Sequence, residues 1–141
     1  MAKMTAFVFW SGIYNAGLAL LLLFPSAYRS LGLNICDPLW GWLISSFLAF
    51  TSVVLILAAR DLGRRASFVY WESFLRYAAA LLTIPAGLFG ETGLLAAGMG
   101  LGDLAIGLVY IFGLPRVLSV SHSDLLFDRL SLQPGEQHRL A

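Results

Sequence analysis

The sequence predicts an all-α integral membrane protein, a four-helix bundle with its N and C termini cytoplasmic. Three observations carry this expectation. Of 141 residues, 59% are hydrophobic and 12% are charged, whereas soluble domains carry about 25% charged residues; so few polar side chains cannot cover a globule in water. Apolar runs of about 20 residues, the length that crosses about 30 Å of hydrocarbon, occur four times. Lys and Arg collect on one side of these runs.

The first run covers about 5–24 and ends at Pro25. Lys3 ahead of it and "PSA" at 25–27 give it the outline of a secretory signal. The run is long for one, and its removal would uncover the other helices, so it reads as a retained span. The second run, about 39–59, opens at Asp37-Pro38, where Asp caps a helix and Pro suits its first turn. The third, about 69–89, carries Pro85 near its far end, and the fourth, about 93–114, stops at Pro115. Lipid offers backbone groups no hydrogen-bond partner, so each span has to be helical. These spans make one membrane domain, 1–116, followed by a cytoplasmic tail, 117–141.

Lys3, Arg60, Arg64, Arg65 and Arg116 fall on one side of the spans, with Arg129 and Arg139 in the tail, against Arg29 alone on the other. Positive residues stay inside, which puts both ends in the cytoplasm of a multi-pass protein of the inner (plasma) membrane. In the tail, Ser121 and Asp124 have capping-box spacing. Leu125, Leu126, Phe127 and Leu130 then suit a short amphipathic helix within 121–132.

Several function classes are excluded. Cys36 is the single cysteine, so there is no internal disulfide, no CxxC pair and no multi-cysteine metal site. His122 and His138 lie in the tail, leaving no imidazole in a span to hold haem. No cofactor and no metal are expected. A net charge of +1 without a dense basic run gives no reason to invoke nucleic acid.

The polar residues inside the spans are the candidate site. Glu72 and Arg76 stand at i and i+4, with Glu on the favourable N-terminal side. In the fourth span Gly93, Gly100 and Gly107 recur every seven residues, a small-residue stripe for close helix packing, and Asp103 lies on it. Gly98 and Gly102 form a second small-residue pair at another angle. An unpaired charge near mid-span costs at least about 2.5–3.5 kcal/mol, and Arg76 is the basic residue within reach of Asp103. A Glu72–Arg76–Asp103 network is expected between the third and fourth spans, either as a structural clamp or as part of a ligand site or proton path. Tyr14 and Asn15 line the same polar pocket if the first span packs there; otherwise Ser11 and Asn15 are helix glue. Ser45, Ser46, Thr51 and Ser52 are expected to satisfy themselves on backbone carbonyls. Glu91, in the outer turn, is expected to be solvated.

Arg60-Asp61 after the second span, Trp71 and Arg76 in the third, and Gly102-Asp103 in the fourth resemble small four-helix bacterial membrane proteins of the DoxX-like type, over about 5–115. The resemblance implies the same fold and, since some members serve membrane redox assemblies, a partner-dependent role; it implies no catalytic residue. "YNAGLALLLLFP" and "YAAALLTIP" also echo each other, as in proteins built from two hairpins.

Three functions remain open. One is a small accessory or scaffold subunit, whose partners are the bilayer and a larger membrane complex or a homo-oligomer. The second is a lipid- or quinone-binding protein, or an enzyme on such a substrate, with its pocket around Arg76 and Asp103. The third is a small dimeric transporter using Asp103. The residues name no reaction.

Overall fold

A computed structural model describes residues 1–130. All regular structure among them is helical: α1 (Ala2–Leu22), α2 (Pro25–Ser30), α3 (Pro38–Arg60), α4 (Leu62–Phe89), α5 (Leu94–Leu118) and α6 (His122–Leu126). α1, α3 and α5 are long and apolar enough to cross a membrane, which marks the chain as a membrane protein. α4 falls short of that standard because Arg64, Arg65, Glu72 and Arg76 dilute its apolar character.

The boundaries depart from the sequence expectation in three places. Pro25 ends the first run, but it also opens the short helix α2, where its fixed φ suits a first turn. The stretch 60–65 is not a loop: a single residue, Asp61, separates α3 from α4, and Gly63, Arg64 and Arg65 already wind in the first turn of α4. Pro115 does not stop α5, which continues to Leu118 before Ser119 turns left-handed at φ 55°. A proline removes one backbone donor, and one lost bond this close to the helix end leaves the final turn intact.

The long helices associate mainly as two antiparallel pairs, α1 with α3 and α4 with α5, and the pairs meet chiefly where α3 faces α4. Two apolar clusters hold the ends. Met4, Val8, Leu55, Leu62, Val69, Tyr110 and Leu114 form one, closed from outside by Leu125 of α6. Leu22, Tyr28, Leu33 and Ala96 form the other. At that second end Asn34 ties the loops together, donating through its backbone to Thr92 O (2.9 Å) and through Nδ2 to Glu91 O (3.1 Å).

Within each pair the contact is made by small residues. A Cβ on Gly100 would strike Thr83 and Ile84 of α4, and one on Gly107 would lie 3.0 Å from the Tyr77 ring. Gly93 is not part of this helical stripe: it is the N-cap of α5 at φ 91°, packed against the Gly32 carbonyl. Gly98 faces open space, and Gly102 lies beneath the Tyr14 hydroxyl. The α1–α3 pair uses Gly12 in the same way, 3.2 Å from Ser52 O and Leu55 Cβ by its would-be Cβ. Ser52 and Ser45 donate to Gly12 O (2.8 Å) and Ala19 O (2.7 Å). Those two serines therefore bond across to α1, while Ser46 bonds back to Trp42 of its own helix.

α6 is shorter than the amphipathic segment the sequence suggests. Ser121 and Asp124 form a complete capping box, Leu125 is fully buried, and the helix ends at Leu126. His138 and the rest of 131–141 lie outside the described residues.

Candidate functional site

Between the two apolar clusters lies one polar layer. Asn15 stands between Val8 and Leu22 on α1, and Thr51 between Leu48 and Leu55 on α3. Glu72 and Arg76 of α4 and Asp103 of α5 complete it. The layer exists at this depth because each helix carries its polar residue about midway between its two apolar ends.

Arg76 organises the layer. Its guanidinium donates to Glu72 Oε2 from Nε (2.9 Å), to Asp103 Oδ1 from Nη1 (2.6 Å) and to Asn15 Oδ1 from Nη2 (3.0 Å). Nη2 also lies 2.9 Å from Glu72 Oε1, which makes the Glu72 pairing two-pronged, the strong arrangement for arginine and carboxylate. Asn15 passes the connection on, donating through Nδ2 to Thr51 Oγ1 (3.0 Å) and Glu72 Oε1 (3.4 Å). Thr51 in turn donates to Leu48 O (3.1 Å). The side chains of Arg76 and Glu72 are 3% and 7% exposed and that of Asp103 18%. The fork geometry of arginine thus joins three helices through one side chain.

The structure brings Glu72, Arg76, Asp103 and Asn15 into one hydrogen-bonded network and sets Tyr14 at its edge, within electrostatic range of Asp103 and Arg76 but bonded to neither. Tyr14 is half-exposed and makes no hydrogen bond among the described residues; its hydroxyl rests over Gly102. The reason is the placement of α1, which packs along α3 and only grazes α5.

Two members escape the sequence reading. Thr51 is a link in the network as well as a bond to its own backbone. Tyr110 is fully buried, with its ring centroid 5.7 Å from the Arg76 guanidinium carbon and its hydroxyl paired with Ser11. A signal for Tyr110 was present: it lies seven residues beyond Asp103, on the stripe of Gly100 and Gly107. Polarity alone does not point to it, because a tyrosine near a span end reads as an interfacial anchor.

The cavity adjoining the network, lined by Asn15, Thr51, Glu72, Arg76 and Asp103 among others, measures about 50 Å³. Pockets for organic ligands run from about 300 to 1,000 Å³. The space suits a water or two and no larger molecule. Among the described residues no cluster of His, Cys, Asp and Glu is arranged to hold a metal ion.

Fold and site together define a helical membrane protein whose interior is joined by an ion-paired layer. Compared with known proteins, the chain matches no family model, no curated protein and no solved structure.

Proposed function

We propose that this protein is a small accessory or scaffold subunit of a larger membrane assembly, built as a four-helix bundle with all four long helices crossing the plasma membrane and both termini cytoplasmic. The observation that supports this reading is the closure of the polar interior. Arg76 meets Glu72, Asp103 and Asn15 directly, and the cavity that Arg76 and Asp103 line is only about 50 Å³. A network bonded to itself in this way works as a clamp between helices and leaves little to offer a substrate. What the molecule presents outward is apolar and aromatic: Trp10, Trp40, Phe47, Phe50 and Phe89 are all more than half exposed. Such a surface fits lipid and the apolar flank of another membrane protein. The likeness to DoxX-like proteins, some of which serve redox assemblies, agrees with a partner-dependent role.

Gentle extraction from native membranes, followed by mass spectrometry of the intact eluate, tests the reading. Stoichiometric co-purification with a larger complex is the expected result, and Arg76→Ala is expected to lower stability while the partner stays bound. A protein that elutes alone, and in which Asp103→Asn abolishes a measurable activity without unfolding, would overturn it. The orientation has its own test in Cys36, the single thiol, which is exposed in the α2–α3 loop. A membrane-impermeant maleimide added to intact cells should label Cys36 from outside.

A further inference from the structure

α3 and α4 follow each other directly, yet they do not close on each other along their length. Each packs closely against glycines of another helix: α3 against Gly12 of α1, and α4 against Gly100 and Gly107 of α5. Their remaining faces carry bulky side chains that stand apart. Phe50, Val54 and Leu57 of α3 and Phe68, Trp71 and Leu75 of α4 line an open groove of about 570 Å³, within the range of ligand sites, about 300–1,000 Å³.

The groove has a polarity. Its exposed lining is almost wholly apolar, and Arg65 stands at one end. Arg65 donates through Nη1 to Leu57 O (3.1 Å), which draws the guanidinium over the end of α3 and the mouth of the groove. Arg60, at the same end of α3, is turned to the α1 side instead, so Arg65 is the cation at this mouth. Glu72 belongs to the inner wall, where its carboxylate is held by Arg76 and Asn15 and would repel a second anion. A negatively charged group is thus welcome at the mouth and unwelcome at depth. Trp71 is held in place by α6, its indole N–H donating to Leu126 O (3.1 Å), so this wall is preset.

The dimensions match one leaflet. From Arg65 to Leu75 the helix rises about 15 Å at 1.5 Å per residue, half of a hydrocarbon core about 30 Å thick. We propose that the groove holds one acyl chain of an anionic glycerophospholipid from the leaflet on the Arg65 side, with the Arg65 guanidinium on its phosphate. The planar fork of arginine suits a phosphate, and the apolar trough suits the chain below it. This inference rests on α4 crossing the bilayer beside α3, as proposed above.

The test uses the full-length protein, purified in mild detergent, delipidated, and exposed to phosphatidylglycerol or phosphatidylcholine. Native mass spectrometry counts the lipids retained. One phosphatidylglycerol per protomer is expected to survive activation that strips phosphatidylcholine. Arg65→Gln, which removes the charge at an exposed position, should weaken retention at least tenfold. Val54→Trp, which fills the groove and leaves Arg65 in place, should do the same. Equal retention of the two lipids, or wild-type retention by either variant, overturns the proposal. Thiols introduced as Gly63→Cys and Glu91→Cys in a Cys36→Ser background read the membrane topology separately. Labelling of both from one side refutes the crossing of α4, and the lipid proposal with it. Labelling from opposite sides, with no phosphatidylglycerol retained, refutes the lipid proposal alone.

Discussion

Arg76→Leu is the substitution that bears hardest on the polar layer. It leaves the carboxylates of Glu72 and Asp103 facing a shared space without their cation, and it removes the Nη2 donor from Asn15. With Arg76 only 3% exposed, solvent does not take its place. Glu72 keeps the Asn15 amide at 3.4 Å, so the larger loss falls on Asp103. An unpaired carboxylate near mid-span costs about 2.5–3.5 kcal/mol on the insertion scale. The lost bond to Asn15 adds about 0.6 kcal/mol, the average for an interhelical hydrogen bond in a membrane. The sum, about 3–4 kcal/mol, falls within the range of about 3–5 kcal/mol measured when one partner of a buried pair is removed. Asp103→Asn is the matched control. Its side-chain carbonyl still accepts from Arg76 Nη1, and Glu72 still balances the guanidinium, so the expected cost is about 1 kcal/mol. Reversible unfolding in mixed micelles, followed by circular dichroism against detergent composition, measures both. Destabilisation by Arg76→Leu that stays within error of Asp103→Asn would refute the clamp, because the charge balance would then carry no weight.

Other perturbations follow from the packing. Gly107→Leu should separate α4 from α5 and destabilise by about 1–3 kcal/mol through overpacking, while Gly98→Ala, facing open space, should be neutral or gain up to about 1 kcal/mol in helix propensity; the same unfolding titration ranks the two. Leu125→Ala should loosen α6 from the bundle, since that side chain is fully buried; faster proteolysis between 119 and 130 is the readout. The Asp124 carboxyl is held below the usual carboxylate range by its hydrogen bonds to the Ser121 side chain and backbone. A lowered folded-state value means that the capping box stabilises α6 fully above the ordinary carboxylate pKa and loses that contribution as pH falls through the lowered one. The protection factors of the α6 amides, taken against the intrinsic exchange rate at each pH, should therefore hold through mildly acidic pH and fall only below it, and Asp124→Asn should remove that acid-dependent fall.

Much of the site was legible one residue at a time. Glu72 and Arg76 announce themselves by charge and spacing, and Asp103 by sitting in an otherwise apolar run on a glycine stripe. Asn15 was visible as a partner only on the condition that the first span packs beside the third and fourth. Its role depends on which helix α1 packs against, and apolar spans carry no charge code for choosing neighbours. The same indeterminacy put Tyr14 beside Asn15 in expectation and left Tyr110 out. Ser45 and Ser52 look self-sufficient in sequence because a serine hydroxyl reaches its own helix as easily as the next; only the approach of α1 at Gly12 turns them across. Pro115 looked like a stop because proline breaks helix interiors, a rule that weakens in a final turn.

Sequence by itself determined the solvent, the helical state and the chemistry of the interior charges. Those follow from composition and from the need of every backbone group in hydrocarbon for a partner along its own chain. Tertiary structure decided which helices pair, where the groove between α3 and α4 opens, and that Arg76 reaches α1 as well as α5. Pairing depends on how small and large side chains of separate helices interlock, and that is a property of two surfaces at once, which no single span encodes.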